Sequence, residues 1–117
     1  MRKGLSYRLC DQTVTVYHKE GEFYTRTVYR HAHFEHRKTD TVGKTGERER
    51  NGFLLVVPCS TQAIFVGDKI LRGVGADIST REEWAALIPA KVPDLAVVRQ
   101  AEAKYWQGRI VHTEATG

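Results

Sequence analysis

The stretch NGFLLVVPCSTQAIFVGDKILRGVG, residues 51–75, holds most of the apolar residues that a core needs. Residues 53–57 form an unbroken apolar run that Pro58 ends, which is typical of a short strand covered on both faces. AIFV, residues 63–66, and KILR, residues 69–72, flank Gly67-Asp68. A two-residue link that begins with glycine suits a primed hairpin turn, because glycine adopts positive φ without strain. We therefore predict that AIFV and KILR pair antiparallel, with Ile64, Phe65, Ile70 and Leu71 divided between a buried and an exposed face.

Length and composition indicate one globular domain over residues 1–117. The chain is 41% hydrophobic and 27% charged, which excludes disordered and collagen-like chains. Met1-Arg2-Lys3 is followed by no apolar segment, so we expect no signal peptide and a cytoplasmic location when the protein is made. Cys10 and Cys59 lie far apart with no metal-ligand spacing, so neither a disulfide framework nor a zinc site is expected.

Two strands are predicted in the first third of the chain, after a basic lead-in arm over residues 1–11. Residues 12–18, QTVTVYH, alternate strictly, with Val14, Val16 and His18 on one face. Residues 23–36, FYTRTVYRHAHFEH, are rich in aromatic and β-branched residues and indicate a long, bent strand. Residues two apart share a face of a strand, so we predict that Val28, Ala32 and Phe34 point inward. Tyr29, His31 and His33 are then expected on the opposite face.

Residues 37–51 break this pattern. The segment contains two glycines and a single isolated valine, so none of its faces can be buried in a core. We predict a long mobile loop or an extended hairpin. Its basic residues are the candidate contacts to a protein partner or a nucleic-acid backbone: Arg37, Lys38, Lys44, Arg48 and Arg50.

The last third predicts one short helix and two more strands. Ser79 with Glu82, and Thr80 with Glu83, both fit the capping box that opens a helix, and Pro89 ends it. So short a helix needs an anchor on the sheet, and Trp84 is the candidate. Strands are expected at residues 95–100 and 109–113, with a frayed tail at residues 114–117. The turn between the two strands lies either at residues 101–104, with Tyr105-Trp106 in a strand, or at Gln107-Gly108. Six or seven strands with one late helix predict an all-β fold, a small antiparallel barrel or sandwich.

The histidines suggest a metal site, which we weigh and reject. His31 and His33 share a face of their strand and could bind one ion, with His18 or His112 completing the site. His36, however, has the wrong parity, and no cysteine or carboxylate stands at a standard ligand spacing. We therefore expect surface or subunit-contact histidines, with no metal and no cofactor.

Two further patterns bear on phosphate and nucleic acid. Gly43-Lys44-Thr45 resembles the end of a phosphate-binding P-loop, but Lys38 stands where that motif needs glycine, so the match is accidental. The formal net charge of +4 permits contact with nucleic acid. Aromatic and basic residues interleave over residues 24–34, as in barrels that stack single-stranded bases, although a small β core needs the same aromatics: Tyr24, Arg26, Tyr29, Arg30 and Phe34.

Four segments together resemble a small protein family of tailed phages and prophages of Gram-positive bacteria. They are DQTVTVYHK at residues 11–19, YTRTVYRHAHF at residues 24–34, LLVVP at residues 54–58 and FVGDKILRG at residues 65–73, and a late capped helix follows them. Members of that family are similar in length to head-tail connector proteins, namely head-closure, neck and tail-completion subunits. These segments are fold markers, so the resemblance implies a structural role and no catalytic residues.

The resemblance also implies partners and a location. A connector subunit meets portal, adaptor or tail-completion proteins and forms a ring-type homo-oligomer in the particle, after a period in the host cytoplasm. With few exposed apolar residues to spare, we expect weak or no self-association in solution. The alternative hypothesis is a small basic nucleic-acid-binding barrel, and a metal-dependent enzyme built on the histidines ranks last.

Overall fold

Within residues 10–43 and 46–117, which the computed structural model describes, the chain forms one curled antiparallel sheet and one short helix. For residues 37–43 and 46–51 only the backbone is described. The elements are β1 Gln12–Glu20, β2 Phe23–Gly43, β3 Gly46–Pro58, β4 Lys69–Arg72, α1 Arg81–Ala85, β5 Leu95–Val97, β6 Gln100–Trp106 and β7 Arg109–Thr116. The strand order is β5-β4-β1-β2-β3-β7-β6, and the curled sheet makes a half-barrel. The predicted all-β antiparallel fold with one late helix is confirmed.

A bulge bends β2 where it passes from β1 to β3. Val14 pairs with Tyr29 but Gln12 pairs with Ala32, so β2 contains one extra residue between these pairs. Because faces alternate along a strand, the extra residue reverses the parity of everything before it. Tyr29 therefore packs against the core with Ala32, whereas Val28 lies opposite Thr15 on the other face. The predicted facing of Val28 and Tyr29 was wrong for this reason.

The predicted hairpin between residues 63–66 and β4 is also wrong. β4 pairs with β1 and β5, and residues 62–65 belong to no strand. The turn itself exists, with Gly67 at φ +94° and Asp68 N donating to Phe65 O at 3.1 Å. Side chains replace the expected ladder: Thr113 Oγ1 accepts from Ala63 N at 3.1 Å, and Asp68 Oδ2 accepts from Phe65 N at 2.9 Å. Once these donors are satisfied, the segment has no need of β4 as a partner.

The core packs against one face of the sheet. Leu55 in β3, Ile64 in the loop and Ile70 in β4 are all fully buried, together with Val14 and Val16 of β1. Ile64 and Ile70 are buried, Leu71 is half-buried and Phe65 is exposed. These four residues therefore do divide between two environments.

The outer face of β1 is covered as well, by residues 73–78. Thr15 Oγ1 donates to Gly73 O at 2.7 Å and accepts from Gly75 N at 2.9 Å. The hydroxyl of Tyr17 donates to Ala76 O at 2.7 Å. Thr15 and Tyr17 are therefore buried although they point away from the core, and β1 is enclosed on both sides.

Helix α1 is held to this outer face by Trp84. Thr80 is the N-cap and forms the capping box with Glu83, one of the two predicted starts. The ammonium of Lys69 lies 4.4 Å from the centre of the Trp84 ring and donates to Trp84 O at 2.7 Å. Tyr24 of β2 contacts the same ring. The prediction that Trp84 anchors the helix on the sheet is confirmed.

The C-terminal residues belong to the sheet and the core. β7 runs to Thr116, Ala115 is fully buried, and Phe53 N donates to Gly117 O at 3.2 Å. The predicted frayed tail was therefore wrong, because β3 offers these residues a ladder. The turn between the last two strands lies at Gln107-Gly108, the second of the two predicted positions, where φ is 53° and 79°. The predicted strand over residues 95–100 is divided between β5 and β6.

Candidate functional site

The first candidate surface is residues 37–51, which we call the ribbon. Their backbone forms a two-stranded ladder from the pair Lys38–Asn51 to the pair Gly43–Gly46, which is the extended hairpin of the two predicted alternatives. β1 reaches β2 only as far as Ala32, and β7 reaches β3 only from Leu54 onward. Beyond those points, within the described part of the chain, the two strands pair only with each other, so the ribbon extends from the half-barrel as an arm.

The register of the ribbon separates its charges. Thr39 pairs with Arg50 and Thr41 pairs with Arg48, so by the alternation of the pleat these positions share a face with Arg37. Asp40 pairs with Glu49 and Val42 pairs with Glu47, and these positions share the other face with Lys38. Three of the five predicted contact residues, Arg37, Arg48 and Arg50, thus fall on one face that carries no acidic position. Lys44 lies outside the described residues.

A second surface was missed by the sequence reasoning, namely the outer edge of β6 and its tip. The sheet ends at β6, whose outer edge pairs with no strand in the part of the chain that is described. At the tip, Tyr105 and Trp106 remain 65% and 40% exposed. The dipeptide Gln107-Gly108 was the available signal for this tip. A two-residue primed turn at that position extends β6 up to Trp106.

A buried acid forms the third candidate. Asp68 is 2% exposed, and its Oδ1 lies 2.5 Å from Nδ1 of His18, a half-buried residue whose ring also contacts Phe65. Burial raises the pKa of Asp68, although hydrogen bonds from His18 and from the Phe65 amide oppose that rise. An acid that orients an imidazole can support base catalysis. Because its second oxygen accepts from Phe65 N, Asp68 also helps to close the turn that precedes β4.

A cleft of about 460 Å³ lies between β5 and the middle of β3. Its walls are mainly apolar and include Phe53, Leu95 and Val97, with His36 and Arg99 supplying the basic groups. His36 Nε2 lies 3.8 Å from Asp94 Oδ1, so an acidic neighbour already faces one of them. The cleft thus has no concentrated charge that would select a ligand class.

The structure does not bring the remaining histidines together. His33 lies 3.2 Å from Glu35 and His112 lies 2.9 Å from Glu114, while His31 is exposed. Among the described residues there is no group of three histidine, cysteine or acidic side chains placed to hold a metal ion.

The interleaved aromatic and basic residues of β2 are not a stacking surface. Phe34 is buried, Tyr29 packs against the core and Tyr24 contacts Trp84. The guanidinium of Arg26 donates to Gly75 O at 2.6 Å. Structural contacts thus account for four of the five residues that suggested base stacking.

The chain belongs to a family of unknown function, DUF6751, whose family model matches residues 9–117. No curated protein and no solved structure matches it. Across the described residues, no helix has the length and apolar character that crossing a membrane requires.

Proposed function

We propose that this member of the DUF6751 family is a structural, non-enzymatic subunit of a phage or prophage head-tail connector, a component of a head-closure, neck or tail-completion ring. The sequence resemblance supplies the class of assembly. The ribbon is the observation that supports this role best, because a two-stranded arm that pairs only with itself can reach a neighbouring subunit or the DNA in the channel.

The shape of the sheet supports the same role. A closed ring needs a heterologous interface, in which one patch of each subunit meets a different patch of the next. The ribbon is one such patch, since within the described residues its two strands pair with each other beyond the last pairs to β1 and β7. Portal, adaptor or tail-completion proteins are the proposed partners, with the host cytoplasm and then the virion as the location.

The test is a variant that lacks the ribbon but keeps the sheet. Deleting residues 38–49 leaves Arg50-Asn51 as a two-residue link between the paired residues Arg37 and Gly52, and replacing that link with Asn-Gly gives a primed turn. Because no core residue is removed, the variant should fold like the wild type by circular dichroism and thermal unfolding. It should fail to enter particles when it replaces the wild-type protein in an inducible prophage. Infectious particles assembled with normal yield from the variant would refute the proposal.

A sequence-independent nucleic-acid-binding module is the second candidate, favoured by the three arginine positions on one ribbon face. Phosphate contacts by such a face would make binding strongly dependent on salt. Binding of duplex DNA by the free protein at physiological salt, lost when Arg37, Lys38, Lys44, Arg48 and Arg50 are neutralised, would favour this candidate over the connector.

A further inference from the structure

We infer that the outer edge of β6, which pairs with no other strand among the described residues, pairs with β6 of a second copy of this chain, antiparallel about a twofold axis at Ala103. The strand reads QAEAKYW over residues 100–106 and is self-complementary in that register. With Ala103 opposite its own copy, Glu102 lies opposite Lys104 of the second copy, and Lys104 lies opposite Glu102. The partner is thus a second copy of this chain.

Charge supports this register. Oppositely charged residues that face each other across two strands are stabilising, whereas like charges are destabilising. Glu102 and Lys104 already lie on one face of β6, with Nζ of Lys104 3.2 Å from Oε1 of Glu102. The side chain of Glu102 is 71% exposed and that of Lys104 is 37% exposed. In the dimer these two charges and their copies would form an alternating group of four. A shift by two residues would pair Lys104 with itself or Glu102 with itself, which selects the register centred on Ala103.

Size supports the same register. Ala101 lies opposite Tyr105 of the second copy, so a small residue faces a large one at two symmetry-related positions. Tyr105 is 65% exposed in the monomer, although aromatic side chains are the ones that contribute most when they are covered at an interface. Pairing therefore covers the backbone edge and an exposed aromatic ring at once.

An open edge strand is a position at which proteins associate unless the edge is blocked. β6 contains no proline that would block pairing of its backbone. Its two charges are of opposite sign, so they need not repel a second copy. The seven-residue edge is small beside the roughly 800 Å² per partner of a typical stable interface, so the dimer should be weak and depend on concentration. Weak or no self-association was expected because few apolar residues are exposed. Pairing of a backbone edge does not depend on exposed apolar area.

This inference goes beyond the connector proposal and does not depend on it. The dimer and a ring that uses the β6 edge would exclude each other, because both occupy the same backbone groups. A failure of the particle test would leave the dimer untouched, and a monomer in solution would leave the connector role untouched.

The experiment is sedimentation equilibrium of the whole chain up to roughly 1 mM. The wild type should pass from 13.3 kDa to twice that mass as concentration rises. Glu102→Lys and Lys104→Glu each place like charges opposite each other at two positions, so each variant should dimerise at least about tenfold more weakly. The double variant with both changes restores opposite charges and should dimerise like the wild type.

The matched control is an equimolar mixture of the two single variants. Lysines at 102 and 104 of one then face glutamates of the other, so the mixture should form heterodimers more strongly than either variant alone forms homodimers. Thermal unfolding establishes that each variant is folded. A wild type that stays monomeric, single variants that dimerise as well as the wild type, or a mixture that remains monomeric would each overturn the inference.

A cross-link tests the position of the axis. In a background with Cys10→Ser and Cys59→Ser, Ala103→Cys brings two thiols face to face and should form a covalent dimer on mild oxidation. Ala101→Cys, whose partner is Tyr105, should not. Equal cross-linking of both variants would show that pairing is not centred on Ala103.

Discussion

His18 Nδ1 lies 2.5 Å from Oδ1 of Asp68, and the second carboxylate oxygen accepts a hydrogen bond from Phe65 N at 2.9 Å. Through these two contacts one buried acid joins β1 to the loop that precedes β4. The charge of this acid lies where water hardly reaches, since the residue is 2% exposed.

The first prediction concerns pH. Burial raises the pKa of Asp68 above the ordinary aspartate value, so just above about pH 4 the folded chain retains a proton that the unfolded chain has lost. Proton binding by the folded state means that the contribution of Asp68 to stability falls as pH rises through that window. Asp68→Asn removes this dependence. The free energy of unfolding in urea, wild type minus Asp68→Asn, should therefore increase as pH falls from 7 to about 4. A difference that stays flat or decreases on acidification would contradict this assignment.

A matched pair separates charge from hydrogen bonding at the same position. The side-chain oxygen of asparagine can still accept from Phe65 N, whereas Asp68→Ala leaves that amide without its partner. An unsatisfied buried donor costs about 1–3 kcal/mol. At pH 7, Asp68→Ala should be less stable than Asp68→Asn by about that amount, and equal stabilities would mean that the Phe65 contact contributes nothing.

The second prediction concerns Gly75, which lies against the outer face of β1. A Cβ built there would overlap the hydroxyl of Tyr17 and stand 2.7 Å from Cδ2 of Leu71. Gly75→Ala should therefore lower the free energy of unfolding by roughly 1–3 kcal/mol, as overpacking does. Adding Tyr17→Phe removes the overlapping oxygen, so Gly75→Ala should cost less in that background. Equal costs in the two backgrounds would place the strain elsewhere.

The third prediction compares two neighbours in the loop before β4. Ile64 is fully buried in the core, whereas Phe65 is 43% exposed. Ile64→Ala should cost about 2–5 kcal/mol, while Phe65→Ala should cost clearly less although it removes more atoms. Chemical denaturation of both variants tests this order, which would be reversed if residues 63–66 were a strand with Phe65 facing inward.

The fourth prediction is that the protein retains no stoichiometric metal. Elemental analysis of tag-free protein should find zinc, manganese and nickel well below one equivalent, because His33 and His112 each have an acidic side chain within hydrogen-bond distance and do not converge. One tightly held equivalent, lost in His31→Ala and His33→Ala, would contradict this prediction.

Local patterns in the sequence predicted most of the strands but not their partners. The alternation of residues 12–18 is enough to identify β1, and the capping box is enough to identify Thr80 as one start of α1. The partner of β4, in contrast, is β1, whose paired residues lie more than fifty positions earlier in the chain. No local pattern in residues 69–72 indicates this pairing. The bulge in β2 could not be predicted either, since the sequence of residues 23–36 is compatible with a strand that has a bulge and with one that has none.

The candidate surfaces were predictable to different degrees. The charges of residues 37–51 are evident in the sequence, but their division between two faces depends on the register from Lys38–Asn51 to Gly43–Gly46. The Gln107-Gly108 turn indicates that β6 extends to Trp106, but it does not indicate that β6 is an edge strand, because an edge is defined by the strand that is missing beside it.

The contact between β1 and residues 73–75 has a consequence for the speed of folding. Thr15 and Gly73 are separated by 58 positions along the chain, yet their hydrogen bond helps to enclose β1. Such pairs form only after a long loop has closed, and chains dominated by them cross the folding barrier in milliseconds to seconds rather than microseconds. During that delay β1 exposes an uncovered face with the alternating pattern of an aggregation-prone strand. Refolding at low protein concentration should therefore give a higher yield of soluble protein than refolding at high concentration.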